Sequence, residues 1–122
     1  MKINDTSKVI HTINVEKGFW ENPRNKGELL MLVVSELAEA LEADRKNRYT
    51  STDVKKITAL AKDENFIDEF TSHVKDTFED EIADAVIRLL DMSAGLGIDI
   101  EKHIEAKLRY NASRPKKHGK KY

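Results

Sequence analysis

Four carboxylates in this chain fall into two matched pairs, Glu36 with Glu39 and Glu81 with Asp84, each pair three residues apart. On a helix that spacing sets both side chains on neighbouring turns of one face. With about 100° of rotation per residue, Glu36 falls among Leu29, Leu32 and Ala40 rather than on the polar strip of its helix. A lone carboxylate in that position is costly. Two such helices packed antiparallel bring the pairs together across one groove, where repulsion and desolvation push protons onto the carboxylates unless a cation compensates. Oxygen ligands of this kind suit a hard cation, Mg²⁺ or Mn²⁺. The competing reading is a pair of solvated acidic stripes, with Glu81 and Asp84 paired to Arg88. Two matched pairs on the two most apolar helices weigh against it.

The elements that must position these residues are helical throughout. Residues 5 to 17 predict a first helix, opened by Asp5 or Thr6, with Val9, Ile10 and Ile13 on one side and Gly18 at its end. Residues 19 to 27 hold the turn formers of a loop and an aromatic pair, Phe19 and Trp20. Residues 28 to about 47 predict the strongest helix, apolar over most of its circumference and therefore expected to be largely buried. Short helices are expected within 47 to 78, one of them capped by Thr52 or Asp53. A second apolar helix covers 79 to 96, closed by Gly95 and Gly97, and Asp99 caps a last helix that stops before Pro115. The expected fold is all-α: a helical bundle whose two long apolar helices carry the acidic pairs. One domain spans residues 1 to 114, with 47 to 78 as a variable connecting segment, and a basic tail spans 115 to 122.

The composition narrows the chemistry. Lys and Arg number 21 against 22 Asp and Glu, so no global field draws the protein to nucleic acid or membrane. Cysteine is absent, which removes disulfides, thiolate metal sites and cysteine nucleophiles. Neither a signal-like apolar run near the N-terminus nor a bilayer-spanning segment is present, and a cytoplasmic protein is the expectation. His11, His73, His103 and His118 lie far apart without ligand spacing. Trp20 is the sole tryptophan, and two readings stand side by side: stacking on a nucleobase, or packing of a loop aromatic on the core.

Three segments together resemble the MazG-like, all-α nucleotide pyrophosphohydrolase superfamily, particularly its small dCTP-pyrophosphatase-type members. Ser35-Glu36-Leu37-Ala38-Glu39 is similar to the family's first acidic motif and Glu81-Ile82-Ala83-Asp84 to its second, E-x-x-D. Residues 107 to 114, Lys-Leu-Arg-Tyr-Asn-Ala-Ser-Arg, resemble the K-x-x-x-N-x-x-R segment that closes the family's site. The loop from Trp20 to Asn25 resembles the one that precedes the first acidic helix, where an aromatic contacts the base. Ser35 stands where many members carry a second adjacent Glu, and residues 47 to 78 are longer than the usual link.

The resemblance implies hydrolysis of a nucleoside triphosphate, deoxy or non-standard forms included, to the monophosphate and pyrophosphate. It implies Mg²⁺ held by Glu36, Glu39, Glu81 and Asp84, with Glu36 or Glu39 taking a proton from water. Trp20, Arg24, Asn25, Lys107, Asn111 and Arg114 are the expected substrate-binding residues, Arg114 through bidentate bonds to phosphate. A homodimer or homotetramer is expected, since the helices are apolar on more faces than one small bundle covers. No membrane or stable nucleic-acid partner is expected. The rival from another class is a non-catalytic helical protein-interaction domain, which offers no compensation for a buried Glu36 charge.

Overall fold

Asn25 fixes the start of the longest helix: its side chain accepts the Glu28 backbone N–H at 2.7 Å, satisfying one of the donors a helix start leaves open. In the computed structural model, which describes residues 1–122, every regular element is helical. The order is α1 (Ile3–Glu16), α2 (Lys26–Arg45), α3 (Val54–Thr58), α4 (Asp63–His73), α5 (Phe78–Gly95) and α6 (Ile100–Ala112), followed by a 3-10 turn at Lys116–Gly119. No helix is long and apolar enough to cross a membrane. The chain forms two compact units. Arg24–Leu89 make a central unit, and Met1–Pro23 with Leu90–Tyr122 make a terminal unit.

In the central unit, α2 buries one face, through Leu29, Val33, Glu36, Ala40 and Ala43. The expectation of a largely buried helix is met on that face alone. Leu30, Val34, Leu37 and Leu41 form a second apolar stripe, each 48–50% exposed. The spacing of four, three and four residues aligns them within about a 60° arc. On α5, Ile82, Val86 and Leu89 repeat the pattern and are likewise exposed, whereas Glu81 and Ala85 are buried.

The exit from α2 is tightly specified. Asn47 adopts a left-handed φ of 55°, its N–H donates to Asp44 C=O at 3.0 Å, and the Arg48 N–H reaches back to Ala43 C=O at 2.8 Å. These two bonds are the Schellman arrangement that closes a helix C-terminus, and Asn tolerates the left-handed turn better than most side chains. Arg48 C=O then accepts the Phe78 N–H at 2.9 Å and the Thr50 N–H donates to Glu79 Oε2 at 2.9 Å. The segment after α2 is thereby stapled to the first turn of α5. Asp53 caps α3 by accepting from Lys55 N–H at 3.0 Å, as its position in the sequence predicts.

The terminal unit starts its helix two residues earlier than the sequence signal at Asp5 or Thr6. The reason lies in α6: Glu101 Oε1 accepts the Ile3 N–H at 2.8 Å and the Asn4 N–H at 3.3 Å, so a distant carboxylate does the capping. Asn4 answers by accepting the Glu101 N–H at 3.1 Å. Asp99 caps α6 as expected, its side chain accepting the Lys102 N–H at 3.2 Å. Near the end of α5, Gly95 lets the Trp20 indole approach so closely that a Cβ there would lie 2.5 Å from Trp20 Cη2.

Candidate metal centre

The acidic cluster belongs to the central unit. Glu36 projects from the buried face of α2 with only 7% of its surface exposed, in keeping with its angular position among Leu29, Leu32 and Ala40. Glu81 lies in the first turn of α5 and is 6% exposed. Glu39, one turn beyond Glu36, is exposed to solvent. One oxygen from each of these three carboxylates lies within 4.8 Å of the other two. Asp84 stands outside that trio on the next turn of α5, yet the charges of Glu36 and Glu39 reach it.

Protons are shared unequally across the cluster. Burial works against ionisation of Glu36, but the bond from Arg88 Nε at 2.6 Å, with hydrogen bonds from Glu39 and Glu81, brings its pKa below the usual carboxylate range. Burial, then hydrogen bonding to Glu39 and the Glu39 charge, push the Glu81 carboxyl up from 4.5 to about 8. Burial and then the charge of Asp80 raise Asp84 as well. Glu36 is therefore an ionised, Arg-paired carboxylate, and Glu81 is the one that keeps its proton at neutral pH. Arg88 does not make the local pair with Glu81 or Asp84 that sequence spacing offers; its salt bridge runs to Glu36, on another helix.

Glu81 Oε2 is buried and has no hydrogen-bond partner. A buried carboxyl oxygen without a partner incurs its full desolvation penalty, on the order of 1–3 kcal/mol. A hard divalent cation would suit this oxygen in chemistry. An octahedral Mg²⁺ with bonds of about 2.1 Å sets ligand oxygens roughly 3–4 Å apart, and the three carboxylates offer oxygens within 4.8 Å of one another. The donor set is all oxygen, as Mg²⁺ and Mn²⁺ prefer.

The other residues singled out by the sequence are engaged in their own units. In the central unit, the Asn25 carbonyl oxygen is occupied in capping α2, and Arg24 Nη2 lies 3.9 Å from Glu28 Oε1. In the terminal unit, Trp20 Nε1 donates to both oxygens of Asp91 at 3.1 Å, and its ring meets that of His11 edge-on at 4.8 Å. The packed reading of Trp20 is the one this geometry expresses, while Phe19 beside it is 61% exposed. Lys107 and Arg114 flank the ring of Tyr110, at 5.2 and 5.5 Å from its centre, and Arg114 Nη2 also donates to His118 C=O at 3.3 Å. Asn111 Oδ1 is buried without a partner.

One constellation was missed by sequence reasoning. Asp91, buried on α5, accepts from Trp20, from Asn14 Nδ2 at 2.9 Å, and bonds His11 Nδ1 at 2.8 Å. His11 and Asn14 are three apart on α1, and that spacing was the only available signal. Scattered histidines without ligand spacing conceal a partner that folding supplies.

Comparison of this chain with protein-family models, with curated proteins and with solved structures returns no match.

Proposed function

We propose that the protein is a Mg²⁺-dependent nucleotide pyrophosphohydrolase of the MazG-like kind, converting a nucleoside triphosphate to the monophosphate and pyrophosphate. One observation carries the reading: the buried, unpartnered Glu81 oxygen in a trio with Glu36 and Glu39. A solvated stripe would leave each carboxylate oxygen to water, whereas this one is shielded from solvent. The resemblance of the two acidic motifs and of residues 107 to 114 supplies the reaction class.

Glu36, Glu39 and Glu81 would hold the ion, with Asp84 joining from the next turn of α5. A bound Mg²⁺ would neutralise phosphate oxygens and acidify a water molecule. The chain's own groups divide the remaining work. Arg88 fixes the Glu36 carboxylate in place and keeps it ionised. Because that bond occupies a Glu36 oxygen, Glu39, exposed and unclaimed by Arg88, is the better placed to take a proton from the attacking water. The resemblance assigns the base to Trp20, whose indole is packed on Asp91 and His11 in this structure, and the phosphates or sugar to Lys107, Asn111 and Arg114.

The exposed stripe of Leu30, Val34, Leu37 and Leu41 favours a second copy of this chain as a partner. Seven half-exposed aliphatic side chains on α2 and α5 offer roughly 500–600 Å² per copy, close to the ~800 Å² per partner of a stable interface. The same stripe serves the rival reading, a non-catalytic interaction domain. A panel of nucleoside triphosphates incubated with Mg²⁺, with monophosphate and pyrophosphate resolved, separates the two. Release of pyrophosphate from at least one substrate is expected, and no turnover of any of them would leave the interaction domain standing.

A further inference from the structure

We propose that Arg48 is a phosphate-binding residue of the carboxylate site, gripping the polyphosphate end of an ion-chelated substrate. The inference rests on the metal-dependent reading above and assigns a residue outside all the motifs that led to it. Arg48 lines a cavity of about 230 Å³ together with Glu39, Glu81, Glu42, Lys46 and Asp76. Two members of the carboxylate trio thus line the same cavity as Arg48.

Charge decides which side chain can receive an anion here. The walls carry four acidic residues, so even with a divalent ion bound the cavity repels phosphate unless a free cation faces it. Lys46 Nζ is already held by Glu42 Oε1 at 3.2 Å, and Arg88 by Glu36 at 2.6 Å. Arg48 makes no salt bridge, and its side chain is exposed. Its backbone, by contrast, is fixed at both polar atoms: the N–H to Ala43 C=O, closing α2, and the C=O to Phe78 N–H, at the start of the helix that carries Glu81. The fixed backbone anchors the base of the side chain beside the cavity, and its guanidinium can bind phosphate oxygens bidentately.

Size sets the ligand class. Whole drug-sized ligands occupy pockets of ~300–1,000 Å³, so this cavity of about 230 Å³ suits the phosphate end of a nucleotide, with base and sugar outside it. Inorganic pyrophosphate, the chemistry of that end alone, is the appropriate probe.

The test is calorimetric titration of the full-length protein, first with Mg²⁺ alone and then with pyrophosphate at saturating Mg²⁺, for wild type, Arg48→Ala and Arg48→Lys. The backbone bonds of Arg48 survive both substitutions, and circular dichroism verifies the helices. Expected are unchanged Mg²⁺ binding in all three and a loss of roughly 10- to 100-fold in pyrophosphate affinity for Arg48→Ala, partly recovered by Arg48→Lys. Equal pyrophosphate affinity in wild type and Arg48→Ala overturns the assignment and leaves the metal centre intact. Absence of Mg²⁺ binding to the wild type overturns the metal centre itself, and the assignment with it.

Discussion

Replacing Glu81 with Gln should stabilise the metal-free protein at pH 8 and leave it nearly unchanged at pH 5. The Glu81 carboxyl is raised from 4.5 to about 8 by burial, by hydrogen bonding to Glu39 and by the surrounding negative charge. In the unfolded chain it ionises near its ordinary value, so between 4.5 and about 8 the folded state binds a proton that the unfolded state has released. Stability contributed by that proton is complete below 4.5, declines as pH rises through this window, and is gone above about 8. A Gln at this position carries no charge at any pH and escapes the decline. The upper limit of the effect at pH 8 is about 5 kcal/mol. Glu39 is exposed, and screening by solvent brings the expected gain to about 1–3 kcal/mol, or roughly 4–10 °C in Tm.

Urea denaturation of chelator-treated wild type and Glu81→Gln at pH 5 and pH 8 measures the difference directly. Adding Mg²⁺ at pH 8 should then stabilise the wild type more than the variant, reversing or closing the gap. A variant that is less stable than wild type at pH 8, by the same margin as at pH 5, would refute the reasoning. It would mean that Glu81 is ionised and satisfied in the folded protein, with no strain for an ion to relieve.

Glu36→Gln should behave in the opposite way, losing about 1–3 kcal/mol in urea denaturation at pH 7 because it uncouples Arg88 from a carboxylate held at 2.6 Å; a neutral or stabilising effect would contradict the ion pair. Under the proposed function, Glu36→Gln and Asp84→Asn should each abolish pyrophosphate release in a steady-state assay with helical content retained, and full activity in either would remove those residues from the metal centre. Hydrolysis in ¹⁸O-labelled water should put the label in the monophosphate, since pyrophosphate leaves as one unit, and label in orthophosphate would show attack at the terminal phosphorus instead. Gly95→Ala should cost about 1–3 kcal/mol by thermal denaturation, because its Cβ meets Trp20 Cη2 at 2.5 Å; unchanged Tm would mean that the indole moves aside freely. Light scattering should report at least a dimer at micromolar concentration, and Leu37→Glu, placed in the exposed stripe of α2, should shift it to monomer.

Local signals in the sequence determined the helical class, the helix limits to within a few residues, and the caps at Asp53 and Asp99. A cap is a bond between residues two or three apart, so composition over a single turn reveals it. The burial of Glu36 was legible for the same reason, since angular position on a helix follows from residue number alone. Partners distant in the chain were decided only by the tertiary structure. Glu101 caps α1 from α6, Arg88 answers Glu36 instead of the nearby Asp84, and Asp91 collects His11, Asn14 and Trp20 from separate segments. The same holds for protonation: four carboxylates identical in kind to the sequence reader become an ionised Glu36 and a protonated Glu81 once burial and neighbours are fixed. Helical periodicity is a property of consecutive residues, whereas hydrogen-bond partners, desolvation and charge density depend on which surfaces the chain folds together.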